Sequence, residues 1–256
     1  ERLTQAAVNA RLAEPGATGG LAFRDARVVE PAAVLRAWLE ETDLMIGAVA
    51  TIEPVDGGWR LMDAAGREIV RADLVCLACG FEAARLASGI PLTPLRGQVS
   101  LAAGTLPAAV IGAGYGIPTR QGLLFGATHD RDDTDDAVRS EDHRRNLALL
   151  ATVLPGLAAR LDPTALTGRA GVRAVTSDFL PLAGPLDAPG LFILAGLGSR
   201  GFCAAPLLAE HVAALVLGAP SPLPVPLAEI VYPGRFAMRR NRRLGRSAKV
   251  QVVDPT

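Results

Sequence analysis

The run Leu191-Phe-Ile-Leu-Ala-Gly-Leu-Gly-Ser-Arg-Gly-Phe-Cys-Ala-Ala-Pro-Leu-Leu-Ala-Glu-His-Val-Ala-Ala-Leu-Val-Leu-Gly218 decides the fold. Five apolar residues, Leu191 to Ala195, read as a buried strand. The turn Gly196 to Gly201 follows, and then a helix, Phe202 to Leu217, stopped by Gly218. The helix is apolar on nearly every side, so burial is expected. Glycines let a ligand approach the backbone, and the free amides of a helix start favour a negative partner. The same pattern also fits an ordinary strand-to-helix connection that binds nothing.

A second apolar strand is predicted at Ala72 to Ala78, ending at Gly80 and reading as a central strand buried on both faces. Before it, Pro31 to Glu41 has helical periodicity with Pro31 in the first turn, and Leu44 to Ile52 is apolar with β-branched residues. Trp59 to Met62 and Glu68 to Val70 flank a hairpin turn at Asp63 to Gly66. After Pro91 short strands follow at Gln98 to Ala102, Ala109 to Ile111 and Leu123 to Ala127. A helix is expected over Ser140 to Leu154, capped by Ser140 and stopped by Pro155-Gly156. Strands alternating with helices place the chain in a mixed α/β class.

Half of the 256 residues are apolar, enough for a sizeable core in one or two domains. The longest apolar stretch, Phe202 to Leu217, is broken by Glu210 and His211, so no membrane span is expected. Three cysteines cannot build a disulfide framework, and no signal-peptide pattern opens the chain; both point to a reducing, cytoplasmic setting. Formal net charge is zero, but seven basic and no acidic residues lie between Arg235 and Lys249: Arg235, Arg239, Arg240, Arg242, Arg243, Arg246 and Lys249. Such a run is either a phosphate-neutralising strip or a solvated tail.

Three further motifs carry possible chemistry. Arg173, ahead of the glycine turn, is suited to grip a substrate carboxylate through its planar guanidinium, or else serves as a surface ion-pair partner. Gly112-Ala-Gly114-Tyr-Gly116 resembles a dinucleotide loop, but Ile117-Pro118-Thr119 cannot continue as a long helix, so it is not read as a phosphate loop; Tyr115 is expected to face a substrate pocket. Cys76 and Cys79 are three apart on a strand and point to opposite faces, so no metal site is expected and both are read as small buried apolar residues.

Taken in order, five segments resemble the D-amino-acid-oxidase and glycine-oxidase class of FAD enzymes: Gly20-Leu-Ala-Phe-Arg-Asp with Val29-Glu-Pro31, Ala72-Asp-Leu-Val with Ala78-Cys-Gly80, Arg96-Gly-Gln98, Ala170-Gly-Val-Arg173, and Gly196-Leu-Gly-Ser-Arg-Gly201. Within that class, Gly171 to Gly184, Leu194 to Pro206 and Pro233-Gly-Arg-Phe with its basic tail are most similar to the FAD-dependent oxidoreductase domain of the bifunctional tRNA 5-methylaminomethyl-2-thiouridine biosynthesis family. The resemblance implies an incomplete FAD-binding Rossmann-like domain (residues 27–90 and 166–230) interleaved with a mixed-sheet substrate domain of the D-amino-acid-oxidase type (1–26 and 91–165), then a basic tail (231–256). The family's opening strand, Gly-x-Gly-x-x-Gly turn and helix do not precede Glu1, so an amino-terminal FAD-binding segment is expected to be missing.

The resemblance also implies residue roles. FAD contacts are expected from Val49, Gly80, Leu197, Gly198, Ser199, Arg200, Gly201 and Phe202, and substrate contacts from Arg173, Tyr115 and Arg200; no catalytic acid or base is assigned. Arg96-Gly97-Gln98 is expected near a domain junction, its role open. The implied reaction is removal of the carboxymethyl group from 5-carboxymethylaminomethyl-2-thiouridine at the tRNA wobble position. Amine oxidation and imine hydrolysis release glyoxylate, and an amino-terminal methyltransferase domain is the implied partner. Oxidation of glycine, sarcosine or a D-amino acid, and a non-catalytic fragment without FAD, are the alternatives.

Overall fold

The computed structural model describes residues 1–243, so Arg246 and Lys249 of the basic run lie outside the described residues. The chain builds two compact units from alternating segments: Glu1–Thr42 with Leu95–Val172, and Asp43–Pro94 with Arg173–Thr256.

The first unit opens with β1 (Arg2–Leu3), α1 (Gln5–Leu12), β2 (Gly20–Leu21) and α2 (Pro31–Trp38). Thr4 caps α1 by accepting from the Ala7 amide at 3.3 Å. The chain then enters the second unit, where β3 (Thr51–Val55), β4 (Gly58–Met62) and β5 (Glu68–Ala72) form the expected antiparallel meander. Asp63 closes the β4–β5 turn, its Oδ1 accepting from the amides of Ala65 and Arg67 at 2.9 Å each. β6 (Val75–Leu77) and the short α3 (Ala83–Leu86) end this segment.

Back in the first unit, β7 (Thr93–Ala102), β8 (Val110–Ile111), β9 (Tyr115–Thr119), β10 (Gly122–Gly126) and β11 (Asp130–Arg131) form an antiparallel sheet in the order β11-β7-β10-β9-β8. Helices α4 (Ser140–Ala151) and α5 (Pro155–Arg160) follow, and β12 (Thr167–Val175) pairs with β7. Leu123, Phe125, Leu150 and Leu154 centre this unit's core. The second unit is completed by β13 (Leu182–Pro185), β14 (Leu191–Ala195), α6 (Gly201–Leu217), α7 (Val225–Val231) and α8 (Arg235–Arg243). Here β14 lies between antiparallel β13 and parallel β6, and Leu182, Leu191 and Ile193 fill the core.

Beside the first unit's apolar core runs a buried polar network rooted in Arg96-Gly97-Gln98. The fully buried Arg96 donates to Asp142 Oδ2 at 2.5 Å and to the carbonyls of Asp135 and Ala137, both at 2.6 Å. Gln98 donates to the Arg139 carbonyl at 2.8 Å and accepts from the Arg139 amide at 2.7 Å. Asn146 donates to Ser100 Oγ, which meets His143 Nδ1 at 2.7 Å. Every contact ties α4 or the acidic loop before it to β7, so the motif is a strut inside one unit.

Several sequence expectations are corrected. The Ala72 to Ala78 stretch is not a central strand: β6 is an edge strand of its three-stranded sheet, and Cys76 is exposed, as are Cys79 and Cys203. α6 is not buried all round; Leu208, His211, Val212 and Ala214 are, whereas Leu207, Leu215 and Leu217 are exposed. With the preceding turn this helix has the length and composition of a membrane span, but its Leu208 and Val212 pack with Ala183 of β13 in a protein core. Leu44 to Ile52 is strand only from Thr51, and Leu44, Met45 and Ile46 are exposed. Pro155-Gly156 starts α5 rather than merely stopping α4, since Pro fits a first helical turn, and Arg139 rather than Ser140 holds the cap position of α4. Strand β9 was not anticipated; Gly112 to Gly114 is the tight turn of the β8–β9 hairpin, in keeping with its rejection as a phosphate loop.

Asp142→Ala should take from buried Arg96 its close carboxylate, leaving Asp130 Oδ2 at 3.9 Å, and cost up to about 3–5 kcal/mol in urea unfolding. Burial pushes the His143 pKa down, opposed by Asp142, and burial lowers His211 in the same way. As pH falls, the unfolded chain therefore takes up these protons first. Stability present above about pH 6.5 should be lost below it, seen as a falling thermal midpoint that flattens in His143→Gln.

Candidate functional site

The site is assembled at the carboxyl ends of two parallel strands. Register pairs Leu77 of β6 with Ile193 of β14, and three residues further along each strand comes a glycine in the left-handed region, Gly80 (φ 63°) and Gly196 (φ 69°). Both chains therefore turn at the same level, which is where open α/β sheets bind ligands. At Gly80 an added Cβ would meet nothing within 4 Å, so the backbone is open to a neighbour. At Gly196 it would meet Thr176 Cγ2 at 3.1 Å and Leu92 Cδ2 at 3.3 Å, so this turn is packed from behind.

From Gly196 the chain runs through Leu197, a short 3₁₀ turn at Gly198–Arg200 and into α6 at Gly201. Gly198 is again left-handed (φ 58°), which lets Leu197 to Gly201 bring successive amides round to the helix start. Ser199, Arg200 and Phe202 are exposed here.

Arg173 is brought to this turn by β12. Val175 forms an antiparallel bridge with Leu197, and its Cγ1 lies 3.4 Å from where a Cβ on Gly198 would be. Residues two apart on a strand share a face, so Arg173 lies on the face that Val175 turns to Gly198. Its Nη1 is buried and has no hydrogen-bond partner among the described residues. A buried guanidinium nitrogen without an acceptor is costly, and a carboxylate is the acceptor whose geometry matches it.

Thus Gly80, Leu197 to Phe202 and Arg173 come together in one unit. Val49 belongs to the same unit, its carbonyl accepting from Arg85 Nη2 at 3.0 Å. Tyr115 is in the other unit, half-buried on β9. Among the described residues no group of acidic, histidine and cysteine side chains could hold a metal, and burial pushes the Cys76 and Cys79 thiols up, away from the reactive thiolate.

Gly196 was read as the start of the glycine turn but not expected as part of the site, and its signal was a position three residues after Ile193 that matches Gly80 after Leu77. Sequence reasoning also missed the loop behind the turn. There Asp178 accepts from Arg235 Nη2 at 3.0 Å, Arg235 Nε at 3.1 Å and Arg239 Nη1 at 2.5 Å. Burial acts against its ionisation, but these hydrogen bonds hold its carboxyl well below the usual carboxylate range. Arg235 is itself buried and lies over the Phe236 ring at 4.4 Å. The first two described arginines of the basic run are therefore structural.

The residues present suit a flavin, with an open left-handed glycine and a backbone amide turn at a helix start, and a carboxylate beside it, with an Arg173 nitrogen lacking an acceptor. A family model described as FAD dependent oxidoreductase matches residues 1–215. The tRNA 5-methylaminomethyl-2-thiouridine biosynthesis bifunctional protein of Caulobacter sp. (strain K31) is 52% identical over 241 residues, covering 93% of this chain and 40% of that protein. The protein of the same name from Thiobacillus denitrificans (strain ATCC 25259 / T1) is 40% identical over 240 residues, covering 88% and 39%. The chain thus spans about two fifths of the length of these curated relatives. Among solved structures, glycine oxidase from Geobacillus kaustophilus matches with TM-score 0.64 and 25% identity over 73% of this chain and 52% of that one. Iminodiacetate oxidase from Chelativorans sp. BNC1 matches in fold, with TM-score 0.65 and 24% identity over 79% and 57%.

Gly196→Ala should place a methyl group against Thr176 and Leu92 in a disfavoured backbone conformation, costing roughly 1–2 kcal/mol from the backbone alone. Its thermal midpoint should drop, whereas Gly80→Ala, with open space around it, should lose less stability but a comparable share of bound flavin, measured by absorbance.

Proposed function

Because the chain belongs to the FAD-dependent oxidoreductase family, we propose that it forms the substrate-side part of an enzyme that oxidatively removes the carboxymethyl group from 5-carboxymethylaminomethyl-2-thiouridine in tRNA. The observation that carries this reading is the half-buried Arg173, whose buried Nη1 has no acceptor among the described residues, on the strand bridged to the glycine turn. The names and identities of the curated relatives support the tRNA substrate.

Arg173 binds the substrate carboxylate and so fixes the adjacent methylene carbon against the turn, a positioning role. That carbon gives up one hydrogen with two electrons and the amine nitrogen gives up a proton, water hydrolyses the resulting imine, and glyoxylate leaves the aminomethyl base. FAD, when bound, supplies the two-electron acceptor. The backbone amides of Leu197 to Gly201, with the dipole of α6, stabilise negative charge that develops beside them. Gly80 and Val49 contribute backbone contacts, and Arg200 is a further substrate contact. The amine needs only to be neutral, so no protein base is invoked. An amino-terminal methyltransferase domain, as the word bifunctional in the relatives' names suggests, is the proposed partner. A cytoplasmic setting suits three exposed free thiols.

Oxidation of a free N-substituted glycine is a second reading, favoured by one observation. Arg235 and Arg239 are engaged by Asp178, which leaves Arg240 as the exposed basic-run side chain available to a phosphate among those described.

The two readings separate when the chain, joined to the amino-terminal part of its Caulobacter relative, is incubated with tRNA bearing the carboxymethylaminomethyl nucleoside. Mass analysis of the digested nucleosides should show loss of the carboxymethyl group; turnover of sarcosine with tRNA left unchanged would reverse the assignment. Arg173→Ala should raise the substrate KM about 10- to 150-fold, the worth of one charged hydrogen-bond pair, with flavin content unchanged.

A further inference from the structure

The loop between β12 and β13, residues 176–181, arches behind Gly196. Val175 before it is bridged to Leu197, and Leu182 after it pairs with Ala195, so its two ends hold the residues on either side of Gly196. Thr176 is buried, and its Cγ2 stands 3.1 Å from where a Cβ on Gly196 would be, with the Leu182 amide nitrogen at 3.7 Å. Val175 Cγ1 stands 3.4 Å from the same point on Gly198. The turn itself has glycine at 196, 198 and 201, which carry no side chain to hold the backbone in one conformation. Its placement therefore depends on what packs behind it.

What holds Thr176 against the turn is polar. Its Oγ1 lies 2.9 Å from Asp178 Oδ1 and 2.7 Å from the Leu180 carbonyl oxygen, and its carbonyl accepts from the Phe179 amide at 3.1 Å. Asp178 Oδ1 also accepts from the Leu180 amide at 3.2 Å. Both acceptors beside the threonine hydroxyl are gripped in turn by Arg235 of α8. Its Nη2 donates to Asp178 Oδ1 at 3.0 Å and to the Leu180 carbonyl at 2.7 Å, and its Nε donates to Asp178 Oδ2 at 3.1 Å. Nη1 donates to the carbonyls of Pro181 at 3.0 Å and Tyr232 at 3.2 Å, so all five guanidinium hydrogens are engaged. A buried planar fork that donates in fixed directions leaves its acceptors little freedom to shift.

Arg173 lies just ahead of Thr176, near the end of the same strand. The latch that seats Thr176 behind Gly196 thus also fixes the end of β12 that carries Arg173. A guanidinium on one element and a turn of amides on another are held at one separation by a third. Such separations matter to a site that works by positioning, where about 1 Å of misplacement costs on the order of 100-fold.

We infer that Thr176 is a positioning residue of this site, latched by Asp178 and Arg235, and that it sets the distance between Arg173 and the amides of the glycine turn. It acts through Gly196 and Arg173 and not by touching the substrate. This deepens the proposed function and rests on its assignment of Arg173 to the substrate carboxylate.

The first test needs neither cofactor nor substrate. In the full chain, hydrogen exchange of the Leu197 to Gly201 amides, measured relative to the amides inside β14, should quicken about 5-fold or more in Thr176→Ser, which keeps the hydroxyl and removes the methyl behind Gly196. Asp178→Asn, which weakens the latch, should do the same. A loss of stability spread over the whole unit would not raise that ratio. The second test titrates the flavin-loaded protein with glycolate and follows the visible flavin spectrum. The glycolate Kd should rise about 10-fold in Asp178→Asn, the worth of one charged hydrogen bond, and in the same direction in Thr176→Ser. If Asp178→Asn does not fold, Thr176→Ser decides alone. An unchanged exchange ratio in Thr176→Ser overturns the inference. A raised ratio with a wild-type glycolate Kd overturns it too, by making Thr176 structural only, and leaves the proposed function standing. If the wild-type spectrum does not respond to glycolate, the assignment of Arg173 and the inference fall together.

Discussion

The parallel register of β6 and β14 is the constraint from which the site follows. Pairing Leu77 with Ile193 makes both strands leave the sheet at one level, and it is at that level that Gly80 and Gly196 turn. Had the register slipped by one residue, the side chains of β6 would exchange faces and the two turns would separate. The remaining parts are hung on this edge. β13 pairs with β14 from the other side, and Val175 of β12 bridges Leu197, so the strand bearing Arg173 closes over the turn.

A second layer of the architecture is electrostatic. The charge run suggested either a phosphate-neutralising strip or a solvated tail, but the structure divides its described part by depth. Arg235 is buried and saturated with acceptors, Arg239 shares Asp178 with it, and Arg240 is exposed. The inner part of the run fixes the loop behind the glycine turn, and an outer side chain remains for a polyanion. In the first unit, Arg96 plays a comparable inner role, fastening Asp142 and the carbonyls of Asp135 and Ala137 to β7. Both are arginines whose planar guanidinium reaches more acceptors at once than the three donors of a lysine ammonium could.

What could be read from the sequence was local. The β4–β5 hairpin was legible because Asp63 serves the amides two and four residues on, and the strand, glycine turn and helix from Leu191 to Gly218 because glycine alone favours the backbone angles required. Gly218 caps α6 in the left-handed region as its position suggested. What could not be read depends on neighbours distant in sequence. The apolar run of β6 and the apolar surface of α6 suggest burial, yet exposure is decided by what lies beside them, so Cys76 and Leu217 are exposed. The partnership of Asp178 with Arg235, 57 residues apart, has no local signature. Arg173 was recognisable as a carboxylate partner by residue type, but its buried and unsatisfied nitrogen is a fact of packing.

The central claim is that Arg173 and the glycine turn form one site, in which a carboxylate lies against the cofactor. Titrating the flavin-loaded protein with a simple carboxylate such as glycolate, and recording the visible flavin spectrum, tests that juxtaposition directly. The account predicts a saturable spectral change in wild type that disappears in Arg173→Ala. An identical titration in both proteins would contradict it.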